Sequence, residues 1–274
     1  MKYTDAARLL GELGVTPDRR LGQNFLLNGV TASAIAAESV PETGGSLLEI
    51  GPGLGALTGE LLKRTPAVTA VEISRRMSDY LADRFPADRL RMVCADFMKT
   101  DPSTLPGYPF EVVAGNLPYS ISSPVLLRLL EPSFSGVRKA VLMLQREMAA
   151  RATALDGGRD YGRLSLQIWP VFSAEVLLDA GSGDFYPRPE VESRVIVLSR
   201  REVPIVLPSL YPAYRRMIRI SFSSRRKTIL NNLAPVFGRE EAHSLLLRAG
   251  VPPGRRAEEL SPESFVRLSE EAGE

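Results

Sequence analysis

Apolar positions along the chain show two textures, and the change comes near residue 200. Before it, short β-rich apolar runs alternate with stretches whose apolar residues recur at helical spacing. The runs Ser46–Ile50, Val68–Glu72, Leu90–Cys94, Glu111–Gly115, Ala140–Leu144, Ala174–Leu178 and Arg194–Leu198 predict strands. Helices are predicted between most of them, for example over Leu57–Arg64 and Arg75–Phe85. Such alternation predicts an α/β fold with a mostly parallel sheet covered on both faces. The last two runs are joined by a Gly/Pro-rich loop with no helical pattern, which predicts an antiparallel hairpin. Ahead of the sheet come a short helix from Tyr3 to Leu13 and an irregular arm from Gly14 to Asn28. A second helix over Gly29–Ser39 and the turn Thr43-Gly44-Gly45 follow.

Beyond Arg200, Pro204 and Pro208 bracket a linker, and the rest reads as helical over Tyr211–Phe222, Arg226–Val236, Arg239–Ala249 and Pro262–Glu271. The predicted domains are therefore residues 1–203, α/β, and residues 204–274, all-helical. A chain of 274 residues with 44% hydrophobic content is large enough for both. No run approaches a membrane span, and the segment Met1-Lys2-Tyr3-Thr4-Asp5 lacks an apolar signal region, so a cytoplasmic monomer is expected. The single Cys94, read as a buried strand end, and the single His243, read as a helix-surface residue, predict neither a disulfide nor a metal site.

Net charge is only +2, but its distribution matters. Arg215, Arg216, Arg219, Arg225, Arg226 and Lys227 lie within thirteen positions without an acid, interleaved with Met217, Ile218, Ile220 and Phe222. That pattern predicts a helix packing one face and offering the other to phosphates, with Arg219, Arg225, Arg226 and Lys227 as candidate RNA contacts.

Candidate chemistry gathers at the ends of the predicted strands. Leu47-Leu48-Glu49-Ile50-Gly51-Pro52-Gly53-Leu54-Gly55-Ala56 runs from strand to glycine turn to helix, where Gly51 and Gly53 permit close backbone approach to a ligand. Glu72, 17 positions after Gly55, ends the next strand and can accept both hydroxyls of a ribose. Gly51-x-Gly53-x-x-Ala56 also satisfies the loose dinucleotide fingerprint. Three features favour S-adenosylmethionine instead: the long arm before the turn, Asp96 placed for an adenine amine, and Asn116-Leu117-Pro118-Tyr119 after the fourth strand. The amide of Asn116 and the carbonyl beside Pro118 suit an exocyclic amine, and Tyr119 offers a ring face for a nucleobase. No side chain stands out as a general base.

Six segments in one order carry a resemblance to the ribosomal RNA adenine dimethyltransferases. They are Leu21-Gly22-Gln23-Asn24-Phe25-Leu26, Glu49 to Gly55, Asn116 to Tyr119, Leu144-Gln145-Arg146-Glu147, Tyr161-Gly162-Arg163-Leu164-Ser165 and Phe185 to Ser193. The run Ser224-Arg225-Arg226-Lys227-Thr228-Ile229 resembles that family's RNA-contacting segment. The resemblance implies a class I S-adenosylmethionine-dependent methyltransferase, Rossmann-like with a seven-stranded mostly parallel sheet and a small helical C-terminal domain. It implies Asn24, Leu26, Gly51, Glu72, Asp96 and Asn116 as the donor pocket. Asn116 and the Pro118 carbonyl would hold the target amine, and Tyr119 and Phe185 would sandwich the flipped base. The implied substrate is two adjacent adenosines near the 3′ end of 16S rRNA, in the small ribosomal subunit or its precursor. Alternatives from the same reading are a large-subunit rRNA adenine methyltransferase, a non-catalytic assembly factor and a dinucleotide oxidoreductase. Ser74 departs from the family, which usually has a second acid there; a helix cap is its expected role.

Overall fold

In the computed structural model of the chain, which describes residues 2–18, 22–42 and 44–273, all seven predicted strands form. Leu21 of the N-terminal motif and Thr43 of the predicted turn lie outside the described residues. In chain order the strands are β1 (Phe25–Leu26), β2 (Ser46–Ile50), β3 (Val68–Glu72), β4 (Leu90–Cys94), β5 (Phe110–Asn116), β6 (Lys139–Gln145), β7 (Phe172–Ala180), β8 (Phe185–Tyr186) and β9 (Ser193–Arg200). The α-helices are α1 (Tyr3–Glu12), α2 (Gly29–Glu38), α3 (Ala56–Leu62), α4 (Arg75–Arg84), α5 (Ser122–Arg128), α6 (Arg146–Thr153) and α7 (Arg163–Ile168). They continue as α8 (Tyr211–Ser221), α9 (Ile229–Phe237), α10 (Arg239–Arg248) and α11 (Pro262–Ala272).

One sheet has the order β4-β3-β2-β5-β6-β9-β7. Strands β2, β3, β4, β5 and β6 pair in parallel, and β9 joins β6 antiparallel. The interior strands are buried on both faces, which is why they read as nearly unbroken apolar runs. Strand β4 lies at the sheet edge, and that corrects the reading of Cys94: it is exposed, because nothing beyond β4 covers it. The two-residue strands β1 and β8 form a separate antiparallel ribbon, Phe25 opposite Tyr186 and Leu26 opposite Phe185. Neither was visible as a strand in the sequence. Between β2 and β5 the strand order reverses, so the loops at their carboxyl ends diverge and leave a crevice.

Packing divides the chain into two units, one of Met1–Ala149 with Glu175–Arg200 and the other of Ala150–Ala174 with Arg201–Glu274. The first has its main core along the sheet, and a smaller cluster where Ala6 and Leu10 of α1 meet Phe25, Leu27, Leu54 and Met77. The second has a helical core around Tyr161, Leu166, Tyr214, Phe265 and Leu268. The linear boundary at 203/204 differs from this division in one main respect. Residues 150–174 belong to the helical unit, since Tyr161 and Leu166 are part of its core and the Tyr214 hydroxyl donates to the Leu166 carbonyl at 2.9 Å.

The basic run also departs from its predicted form. Helix α8 stops at Ser221, and α9 starts only at Ile229, capped by the Thr228 hydroxyl, which accepts from the Asn231 N–H. Asn232 donates to the carbonyls of Ser221 (2.7 Å) and Ser224 (3.0 Å), holding the intervening turn. Arg225, Arg226 and Lys227 therefore sit on a turn, not on a helix face.

Candidate functional site

A cavity of about 390 Å³ opens at the carboxyl ends of β2, β3 and β5. Asn24, Leu26, Gly51, Gly53, Glu72, Asp96 and Asn116 all line it, as does Pro118. Its wall is built from five stretches of chain: the arm Gln23–Leu26, the end of β2 with the turn after it, the end of β3 with the start of α4, the loop Ala95–Met98 after β4, and the end of β5 with the segment after it. Gly53 shows how closely they fit. It has φ of +55°, and a Cβ there would lie 2.9 Å from the Phe25 ring, so the turn and the arm close together only with glycine.

Glu72 is held with its two oxygens in distinct roles. Oε2 accepts from the Gly53 N–H at 3.2 Å and Oε1 from the Ser74 N–H at 2.8 Å. Burial pushes its pKa up, and these backbone donors pull against that rise. Ser74 is the N-cap of α4, its hydroxyl accepting from Met77. Asp96 Oδ1 caps the next turn by accepting from the Met98 N–H at 2.9 Å.

Glu49 was not singled out in the sequence beyond its place in the glycine motif. It is 1% exposed and lines the cavity, and its Oε2 is buried without a hydrogen-bond partner. Its paired neighbours on β3 and β5 are Ala70 and Ala114, small enough to leave room for a carboxyl group. Burial, helped by the nearby charge of Glu72, pushes its pKa up to about 8. An acid inside an otherwise apolar strand was the available signal. With Glu49, Glu72 and Asp96, the cavity wall has three acidic side chains, and no lysine, arginine or histidine is among its described lining residues.

At the end of β5, Asn116 donates its amide N–H to the Asn24 carbonyl at 2.8 Å. That bond fixes which end of the amide is nitrogen and leaves Oδ1 as the acceptor. The Pro118 carbonyl, expected to hold an amine, already accepts from the Ile121 N–H (3.1 Å) and the Ser122 hydroxyl (3.2 Å). The Leu117 carbonyl accepts no hydrogen bond among the described residues, so it is the acceptor beside Pro118 that stays free. Tyr119 follows directly; it is half-buried, and its hydroxyl lies 3.3 Å from that of Ser193. Gly22 lies against the Tyr119 ring, since a Cβ on it would come within 2.7 Å of Tyr119 Cβ. Phe185 is not brought to the cavity. It is 1% exposed, on β8 opposite Leu26, and its ring belongs to the core. Stacking on a base would require it to leave that packing.

In the helical unit, Arg219, Arg226 and Lys227 are exposed. Arg225 is tied down: it donates to the carbonyls of Arg159 (2.6 Å) and Tyr161 (3.2 Å) and pairs with Glu258 at 3.4 Å. Part of its charge is thus already used within the fold. Among the described residues no group of His, Cys, Asp and Glu is arranged to hold a metal ion, and no helix is long and apolar enough to cross a membrane.

A profile of the family described as Ribosomal RNA adenine dimethylase matches residues 16–274. The chain belongs to this family. Among its relatives is a Ribosomal RNA small subunit methyltransferase A from Thiobacillus denitrificans, 41% identical over 93% of this chain and 97% of that protein. One of the same description from Moorella thermoacetica is 38% identical over 95% and 94%. Among solved structures, the 23S rRNA methyltransferase ErmE is 30% identical, with a TM-score of 0.73 over 92% of this chain and all of that one. A dimethyladenosine transferase from Plasmodium falciparum is 25% identical, with a TM-score of 0.75 over 89% and 95%. The seven-stranded, mostly parallel sheet is the class I S-adenosylmethionine-dependent methyltransferase fold of this family.

The raised pKa of Glu49 has a stability consequence. Folding lifts it from 4.5 to about 8, so across that window the folded protein holds a proton that the unfolded chain has released. Stability should therefore fall as pH rises from about 4.5 to 8. Glu49→Gln removes that dependence, and its free energy of unfolding, read from urea titrations, should gain on wild type by about 1 kcal/mol or more between pH 5 and pH 8. Parallel free energies across the range would show that Glu49 titrates normally.

Proposed function

We propose that this protein transfers methyl groups from S-adenosylmethionine to N6 of two adjacent adenosines near the 3′ end of 16S rRNA, dimethylating each. Its partner would be the small ribosomal subunit or a precursor, met in the cytoplasm, and the protein would act as a monomer. The observation that carries the choice of donor is the acidity of the cavity: three acidic side chains, Glu49 among them with a raised pKa, and no base among its described lining residues. A dinucleotide would bring an anionic pyrophosphate against those acids. A sulfonium nucleoside with an ammonium group brings cations, and the unpartnered Oε2 of Glu49 is a buried acceptor suited to one. The relatives named as small-subunit enzymes, matched nearly end to end, support the small subunit over the large.

When bound, S-adenosylmethionine supplies an already activated methyl group. Glu72, held by Gly53 and Ser74, is oriented to accept ribose hydroxyls, and Asp96 to accept from the adenine amine of the donor. Asn24, Leu26, Gly51 and Gly53 close the wall and exclude water. On the substrate side, the amine of adenine is a poor nucleophile because its lone pair is delocalised into the ring. Asn116 Oδ1 and the Leu117 carbonyl would accept its two N–H groups and favour a pyramidal nitrogen. Tyr119 would support one face of the base, and Phe185 the other if it leaves the core. After the first transfer, one N–H remains to be held for the second. The proton is lost to solvent, so catalysis rests on positioning and on hydrogen bonds to the reactive form of the amine. Arg219, Arg226 and Lys227, with a smaller share from Arg225, would meet rRNA phosphates.

Transfer of labelled methyl groups to small subunits from an unmethylated strain, with large subunits beside them, tests this reading. Label on small subunits only is expected; label on large subunits would move the assignment to the ErmE-like reaction. Asn116→Ala should abolish transfer while leaving fold and RNA binding intact, and turnover within about threefold of wild type, roughly 0.6 kcal/mol in barrier, would refute its role. Glu72→Gln should weaken donor binding by about tenfold or more with RNA affinity unchanged, as calorimetry can read. Reversing Arg219, Arg226 and Lys227 to Glu should lower affinity for small subunits and flatten its salt dependence, because fewer counterions are released. An unchanged salt slope would place the RNA contacts elsewhere.

A further inference from the structure

Among its described residues, the arm that walls the donor cavity has little secondary structure of its own: between α1 and α2 its strand is two residues long. Something else must hold it. The Leu27 N–H donates to the Asp184 carbonyl at 2.7 Å, continuing the ribbon of β1 and β8 by one bond. The Asp184 side chain does more. Its Oδ1 accepts from the Asn28 amide at 2.8 Å, and its Oδ2 accepts from the Thr31 hydroxyl at 3.0 Å. Asn28 meanwhile caps α2 through its other end, Oδ1 accepting from the Val30 N–H at 2.9 Å. Thr31 is buried. Both carboxylate oxygens are thus used in tying the start of α2 to the residue that precedes Phe185.

We infer that Asp184 is a positioning residue for the donor site: its carboxylate locks the arm carrying Asn24, Phe25 and Leu26 onto the strand carrying Phe185. The geometry on either side explains the consequence. Asn24 receives the Asn116 amide bond through its carbonyl, and Phe25 packs against Gly53 in the glycine turn. A shift of the arm would disturb the substrate amide and the donor turn together. On the other strand, Tyr186 meets the Tyr3 ring of α1 with centroids 4.6 Å apart, so α1 adds a second hold on the same ribbon. Loss of the carboxylate would free the side-chain tie between the start of α2 and β8 and leave the arm to its backbone bonds, the Asn116 amide and the packing of Phe25 and Leu26. The donor would then have to order that wall on binding, and its affinity would fall.

This inference rests on the cavity being the donor site, and the test separates the two. Calorimetry with S-adenosylhomocysteine on the full chain is run for wild type, Asp184→Ala, Asn28→Asp and the double variant Asn28→Asp with Asp184→Asn. Wild type should bind. Asp184→Ala should bind about tenfold more weakly and its methyl-transfer KM for the donor should rise in proportion, while kcat returns to within about threefold of wild type once saturating donor has re-ordered the arm and, with it, Asn116. Asn28→Asp keeps the helix cap but sets two carboxylates against each other, and should weaken binding at least as much. The double variant reverses the hydrogen bond, an amide at 184 donating to a carboxylate at 28, and should recover most of the affinity. If Asp184→Ala fails to fold, the Asn28→Asp and double-variant pair decides alone. Unchanged affinity in the folded single variants, or no recovery in the double variant, overturns the positioning role. Absence of binding by wild type overturns the donor reading and this inference with it.

Discussion

Glu49 and Glu72 sit almost fully buried in the wall of one cavity, and no cation among the described lining residues offsets them. Burying acids in this way raises their pKa and costs stability unless something compensates. For Glu72 the compensation is internal, through the N–H groups of Gly53 and Ser74. For Glu49 it is incomplete, with one oxygen unpartnered. The rest of the site depends on this arrangement. The glycine turn brings the Gly53 N–H to Glu72, and the alanines beside Glu49 leave room for its side chain. The arm seals the acids away from water, which strengthens their pull on a cationic ligand.

The two halves of the proposed chemistry meet at a single strand end. Asn116 closes β5 with its amide turned by the Asn24 carbonyl of the arm, so the group that would hold the target amine is oriented by the wall that would hold the donor. The Pro118 turn takes its own carbonyl out of service through Ile121 and Ser122. This leaves Leu117 as the neighbouring acceptor and makes the proline a device for shaping the backbone. Tyr119 is held from two sides, by Gly22 of the arm and by Ser193 at the start of β9.

Most of the sheet was legible because strands buried on both faces leave unbroken apolar runs that few helices imitate. The strand-end acids and the amide were legible for the same reason, since they interrupt such runs at their carboxyl ends. Glu49 was harder because it lies inside a run, where an acid looks like an exception to the strand. Strands β1 and β8 were invisible, as two residues carry no periodicity. With them went the burial of Phe185, which depends on a partner 159 positions away, Leu26. The edge position of β4 decided the exposure of Cys94, and no local pattern reveals strand order. Residues 150–174 carry apolar side chains that join the helical core, but nothing in their own spacing says which core they enter. At the basic run, Arg215, Arg216 and Arg219 lie on the predicted helix, now α8, whereas Arg225, Arg226 and Lys227 fall on the turn before Thr228, the N-cap of α9.

Buried acids, with Glu49 holding a proton near neutral pH, make this cavity a site for a cationic nucleoside. Calorimetric titration with S-adenosylmethionine near pH 7, repeated in buffers of different ionisation enthalpy and beside an NAD titration, tests it most directly. A carboxyl group with a pKa of about 8 holds a proton at that pH, and a cation set against it should drive the proton off. S-adenosylmethionine should bind with net proton release, and NAD should not bind. Binding heats that are the same in every buffer, or NAD binding as tightly as S-adenosylmethionine, would contradict it.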